Sequence, residues 1–227
     1  IGKDTTYIDG PLTEDGYIDY IRYVNEKQSD GVAAKDNVVA AIAKIVPEGV
    51  ANEDSEKKLL KALKISSIAK APNCFVSFYG YSQAFRVQAS NSLDDKKRWQ
   101  ALLTNYNSSI QKPWTAEQFP SVAKWLAENE RYLGLAIRAA KRKKYFQPVI
   151  RMEPEPVQQT LITTWSGFSQ QFRQLGVAFV ARALLHAGNG DFKNCLSDLR
   201  TVRLLGRHIG SGMVQHEKLI GITLMRL

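Results

Sequence analysis

Cysteine is nearly absent from this chain: its 227 residues include two, Cys74 and Cys195, far apart and without a CxxC pair. A zinc site or a dithiol redox motif therefore has no support. A disulfide between them would need an oxidising compartment and Cα atoms within about 7 Å, and as lone thiols both read as small buried apolar residues. Long apolar runs are missing as well. Stretches such as Val177 to Val180 fall far short of the roughly 20 residues that cross a bilayer, so no membrane span is expected. No charged start with an apolar stretch and a small-residue cleavage site opens the chain at Ile1, which predicts an N-terminus trimmed by processing or design.

What remains is the composition of an ordinary globular protein, 44% hydrophobic and 23% charged, long enough to bury a core without staples. The charge is uneven. Residues 1–56 hold 12 acidic and 5 basic side chains, a net of −7, whereas residues 57–227 hold 26 basic and 10 acidic ones, a net of +16. Such asymmetry fits an anionic partner for the basic portion, an acidic segment that covers it, or a plain solvated surface.

The apolar spacing predicts a mainly α protein, an irregular helical bundle. Gly10-Pro11 reads as a turn, and Thr13 reads as the N-cap of a helix to about Ser29 with Tyr17, Ile21 and Val24 as its stripe. A second helix is expected from about Asp36 to Val46, ending before Pro47, and a third from Glu53 to Lys64. Residues 74–81 are the least helical: Phe75, Ser77 and Tyr79 alternate with Val76, Phe78 and Gly80, which permits a short strand or hairpin, a loop or a helix start. Ser92 caps the next helix, to about Asn107. Thr115 with Gln118 forms a capping box ahead of Pro120, and the helical pattern then runs through Val122, Trp125, Leu126 and Leu133 towards Lys143, with Trp114 and Trp125 as packing anchors.

Pro148 to Pro156, with Glu153 and Glu155 between prolines, reads as an extended linker dividing a subdomain 1–147 from a subdomain 157–227. Beyond it Leu161, Trp165, Phe168, Phe172, Leu175, Phe179 and Ala183 recur at steps of three and four, the seam of a helix of about 28 residues, on the order of 40 Å long. Gly188 to Asp191 turns the chain. Asp191 then caps a helix whose apolar face carries Phe192, Cys195, Leu196, Leu199 and Val202, which completes an antiparallel hairpin. Met213 to Leu227 reads as one more helix with no stop signal after it, so the protein is expected to continue past this segment.

The hairpin resembles a single tetratricopeptide-type unit of roughly 34 residues. Phe179, Ala183, His186, Cys195, Leu199 and Val202 fall at that motif's packing positions, and Gly190-Asp191-Phe192 resembles its turn. Three further segments are Thr13-Glu14-Asp15-Gly16-Tyr17-Ile18-Asp19-Tyr20, Pro113-Trp114-Thr115 with Trp125-Leu126-Ala127-Glu128-Asn129-Glu130, and Asp198-Leu199-Arg200 with Arg203-Leu204-Leu205-Gly206-Arg207. These resemble stretches of large, uncharacterised exported bacterial proteins with a helical body. That resemblance implies an exported or cell-envelope location with the anchor or signal elsewhere; it brings no activity and no catalytic residue.

Chemistry-bearing motifs fail on spacing. His216-Glu217 begins like a zinc-protease helix, but Ile220 stands where the second histidine belongs. Gly188-Asn189-Gly190 and Gly210-Ser211-Gly212 lack the lysine and spacing of a phosphate loop, and Ser166-Gly167 falls inside the long helix rather than at a nucleophile elbow. No cofactor and no metal site is expected. Two cationic groups stand out as anion-binding candidates. Arg200, Arg203 and Arg207 form one stripe on a helix, unless Asp198 neutralises them, and Lys141, Arg142, Lys143 and Lys144 end a helix, where cations also suit the exposed carbonyls. The sequence thus predicts a non-enzymatic protein-interaction or scaffold module, with an anionic-polymer binder and an enzyme of dispersed residues as the alternatives.

Overall fold

The computed structural model describes residues 10–47, 52–88, 93–150 and 167–227. Among these all the regular elements are helices, with isolated bridges and no sheet. In order come α1 (Tyr20–Ser29), α2 (Val38–Ile42), α3 (Glu53–Leu63), α4 (Phe78–Gln88), α5 (Leu93–Ser109), α6 (Pro120–Ala140), α7 (Ser169–Gly188), α8 (Phe192–Gly210) and α9 (Gln215–Arg226). The mainly α class is as the periodicity predicts.

Several boundaries differ from expectation, each for a local reason. The first helix begins at Tyr20, capped by the Asp19 carboxylate on the Arg22 N–H at 3.0 Å. Thr13 instead closes a tight loop, accepting from the Tyr17 N–H and donating its own N–H to the Tyr17 carbonyl, with Gly16 at φ 81° making the reversal. Tyr17 is consequently exposed rather than part of a stripe. α2 is five residues long, is capped by Asn37 and is buried on every side, so it carries no acidic face. α6 ends at Ala140, with Pro120 in its first turn. α7 begins at Ser169 with Phe168 ahead of it, shorter than the 28-residue reading; Leu161 and Trp165 of that seam lie outside the described residues, as does the proposed cap Ser92.

No strand forms at 74–81. Residues 74–77 form no regular element and α4 starts at Phe78. The backbone at Val76 finds its partners in side chains: the Val76 N–H donates to Asn129 Oδ1 at 2.8 Å and the Val76 carbonyl accepts from Asn129 Nδ2 at 3.1 Å and from Trp125 Nε1 at 2.8 Å. A carboxamide presents one acceptor and one donor side by side, which is what a neighbouring strand would offer. The device recurs. Asn37 grips Phe146 in the same way, at 3.0 and 2.9 Å, while also capping α2 at the Val39 N–H. Asn25 grips Val149, with both bonds at 2.8 Å. Three asparagines on separate parts of the fold thus satisfy extended segments that pass through the interior without a sheet.

Because of these bonds the start of the proposed 148–156 linker is held inside the protein: Pro148, Val149 and Ile150 are buried, and 151–156 lie outside the described residues. A single apolar core draws residues from Val38 to Leu224, and Ile21, Val24 and Val149 make a small satellite. Both expected anchors are almost fully buried. Trp114 hydrogen-bonds through its indole to the Ala181 carbonyl at 3.1 Å, and Trp125 stands edge-on to Phe78, which stacks on Tyr106.

α7 and α8 form the hairpin. Gly190 at φ 76° makes the turn and Asp191 caps α8 on the Asn194 N–H at 3.1 Å. α9 then packs back along α8 and also reaches α7. The α8–α9 crossing depends on small residues: a Cβ on Gly221 would lie 2.6 Å from the Gly210 Cα and 2.8 Å from the Gly206 carbonyl oxygen. Backbones that close together leave side chains on the outer side to diverge.

Candidate functional site

The sequence offers Asp198 as a counter-ion for the arginines of its own helix. The structure gives Asp198 to Arg182 instead. Arg182 projects from α7 in the middle of the apolar seam, and its guanidinium makes a two-point bond to the carboxylate, Nε to Oδ2 at 2.8 Å and Nη2 to Oδ1 at 2.7 Å. Nη1 reaches Glu130 on α6 at 2.7 Å, and the cation lies over the Phe179 ring. Burial pushes the arginine pKa down, but the bonds and charge of Asp198, with Glu130, outweigh it and the net shift is upward. His186 stands at its edge, 3.5 Å from Asp191 and 3.9 Å from Asp198.

The second acid of the C-terminal part is also withdrawn. Glu217, fully buried in the first turn of α9, accepts from the Tyr145 hydroxyl at 2.8 Å and from the Val214 N–H at 3.2 Å. Burial raises its pKa against the downward pull of those two bonds, and the same burial, with the charge of Glu217, holds the Tyr145 phenol well above its usual value. A carboxyl whose folded pKa is raised contributes stability that is complete below its unfolded pKa and is lost as pH rises through the folded value. Glu217→Gln should therefore be more stable than the parent at pH 8, with the difference closing towards pH 4. Urea midpoints across that range measure it, and parallel pH profiles for the two proteins would refute the assignment.

The consequence is electrostatic. From Phe192 to Leu227 the chain has two carboxylates, Asp198 and Glu217, and both are inside. Lys193, Arg200, Arg203, Arg207, Lys218 and Arg226 are all exposed. Arg200, Arg203 and Arg207 meet no hydrogen-bond or ion-pair partner among the described residues. Between these cations lie apolar side chains that the sequence assigns to packing. Phe192, Leu196 and Leu199 are exposed, whereas α8 buries Cys195, Asp198, Val202, Leu205 and Ile209. Leu219, Ile222 and Met225 of α9 are exposed as well. Arg207 and Gly210 on α8, with Ser211 just after it, face Lys218, Ile222 and Met225 on α9 across a groove of about 400 Å³.

The other candidate, Lys141 to Lys144, divides. Lys141, Lys143 and Lys144 are exposed, but Arg142 is half-buried and donates through Nη1 to the carbonyls of Ala34 and Asn37 at 2.8 and 2.9 Å, tying the end of α6 to the turn before α2. His208 is structural in the same region: its Nε2 sits 3.0 Å from the Ala140 carbonyl, so it carries the proton there, and burial lowers its pKa. Both cysteines are buried free thiols, and burial raises that of Cys74. Among the described residues, no group of three or more His, Cys, Asp or Glu is placed to hold a metal ion.

One cavity has no counterpart in the sequence reading. About 390 Å³ opens between α4, α5 and α7, with Tyr106, Asn107, Arg173 and Gln174 among its lining. Its serines are engaged by α4 itself: Ser77 Oγ accepts from the Gly80 N–H, and Ser82 Oγ donates to the Tyr79 carbonyl. Burial pushes the Tyr106 phenol up to about 12, with Arg173 opposing, so it stays neutral.

The fold and site together define a mainly α-helical protein with a cationic, apolar-studded face on its last two helices. No protein-family model, curated protein or solved structure matches the chain.

Proposed function

We propose that this chain is a non-enzymatic helical interaction or scaffold module of an exported cell-envelope protein, and that it docks a protein partner through the outer face of α8 and α9. The observation that carries the reading is the pairing of six exposed cations with exposed Phe192, Leu196, Leu199, Leu219, Ile222 and Met225, while every carboxylate of the same segment is buried. An apolar patch of this kind, rimmed by charge of one sign, marks an interaction surface. The α7–α8 hairpin supports the resemblance to a tetratricopeptide-type unit, whose work is binding. The envelope setting rests on the resemblance of the 13–20, 113–130 and 198–207 segments to exported bacterial proteins.

A photo-crosslinking residue placed at Leu196 or Leu219 tests this in the source cells, with Lys124 on the exposed side of α6 as the control position. Adducts to one protein are expected from 196 and 219, absent from 124 and abolished by Arg200→Gln, Arg203→Gln and Arg207→Gln together. Equal labelling at all three positions would overturn the reading.

A second reading, an anionic-polymer binder, is favoured by the three arginines of α8, which meet no partner among the described residues, and by the exposed Lys141, Lys143 and Lys144. Counterion release makes such binding steeply salt-dependent. Weak, salt-independent retention on an anionic matrix would end it.

A further inference from the structure

We infer that the α8–α9 groove receives an acidic amphipathic helix of the partner protein. This deepens the docking reading above and rests on it.

The shape argues for a helix. Where α8 and α9 approach at Gly206, Gly210 and Gly221, a shallow, open groove lies alongside the crossing. Ile222 and Met225 supply its apolar lining, and Arg207 and Lys218 flank them from opposite helices. Ridges of side chains on one helix fit grooves of this kind on others, and an amphipathic helix enters with apolar anchors at three- and four-residue spacing. The molecule already contains one such arrangement: α9 packs along α8 and reaches α7, with Ile220 and Leu224 buried beneath it. A polyanion has no apolar side for Ile222 and Met225.

The charge argues for acidity. An incoming carboxylate meets Arg207 and Lys218, with Arg203 one turn along α8, and neither acid of these two helices competes, since Arg182 holds Asp198 and Tyr145 holds Glu217. Guanidinium groups free of partners make two-point bonds to carboxylates, which fix register as well as add affinity. Acidic side chains flanking a leucine stripe are therefore the complement of this face, and basic ones are excluded.

The test uses the full chain and a designed 20-residue helical peptide, a leucine stripe flanked by glutamates. Its controls are a scrambled sequence of the same composition, the same stripe flanked by lysines, phosphatidylglycerol vesicles and polyphosphate. The glutamate peptide should bind well above both peptide controls. Arg203→Gln, Arg207→Gln and Lys218→Gln together should weaken it by roughly tenfold to a hundredfold and flatten its salt dependence. Ile222→Ser should weaken it while leaving the salt dependence alone. All four positions are exposed, and an unchanged circular dichroism melt verifies folding. Binding no better than the scrambled peptide, or equal binding by the triple variant, overturns the helix assignment. If vesicles or polyphosphate alone bind, and do so through the same cations, the acidic-helix proposal falls while the docking face stands. Loss of the crosslinks at 196 and 219 removes the docking face itself.

Discussion

Asp198→Ala should destabilise the protein by about 3–5 kcal/mol, a large share of the roughly 5–15 kcal/mol that holds a typical domain together. The loss comes less from the missing attraction than from what remains. Arg182, nearly without solvent exposure, would keep one contact to Glu130, itself largely in water, and two guanidinium N–H groups would point into an apolar interior. The diagnostic experiment is a cycle. Arg182→Met with Asp198→Leu removes both charges and fills similar space, so the double variant should recover most of the loss in urea denaturation. If the single and double variants were equally unstable, the cost would lie in packing rather than in the unpaired charge. Asp198→Ala also tests the face indirectly, because it changes none of the exposed arginines.

Asn37→Ala should cost a comparable amount, roughly 3–5 kcal/mol. One carboxamide satisfies the Phe146 N–H, the Phe146 carbonyl and the Val39 N–H, and it is almost wholly buried, so no water replaces it. Its removal unpairs the first turn of α2 and the extended segment after α6 together. Asn37→Ser is the discriminating variant. A serine oxygen can cap α2 but cannot reach both groups of Phe146, so it should recover about 1 kcal/mol of the loss. Full rescue by serine, read from denaturant midpoints, would mean that capping alone matters and that the grip on Phe146 is incidental.

These two sites also show what the sequence could and could not disclose. The helices after residue 167 were legible because their cues are local: Asp191 as a cap, Gly190 for the turn, and apolar residues three and four apart. The Arg182–Asp198 pair was legible in principle. An arginine between Ala181 and Ala183 in an apolar seam needs a buried anion, and Asp198 sits on the inward side of the next helix, between Cys195 and Val202. Residues 74–77 were not legible, since the partners of Phe75 and Val76 are distant in sequence: the Ile45 carbonyl for Phe75, and for Val76 the Asn129 side chain from a helix far along the chain. The early helix start went astray because Thr13 and Asp19 both suit a cap, and the choice depends on Gly16 taking a left-handed turn between them.

The face on α8 was half legible. Its arginines announced themselves by spacing, but Phe192, Leu196 and Leu199 share helical spacing with Cys195 and Val202. Periodicity alone assigned them all to one packed side. Only the position of the neighbouring helices decides between them, and α9 crosses α8 at Gly206 and Gly210, beyond these three residues.

Residue-resolved arginine modification tests the central claim most directly, namely that α7 supplies the counter-ion for the acid of α8 and so leaves the arginines of α8 free. Treating the native protein with phenylglyoxal and mapping adducts by mass spectrometry should show rapid modification at Arg200, Arg203 and Arg207. Arg182 should be protected until the protein unfolds. Reaction at Arg182 as fast as at the other three, or protection of Arg200, Arg203 and Arg207 in the isolated chain, would contradict the account.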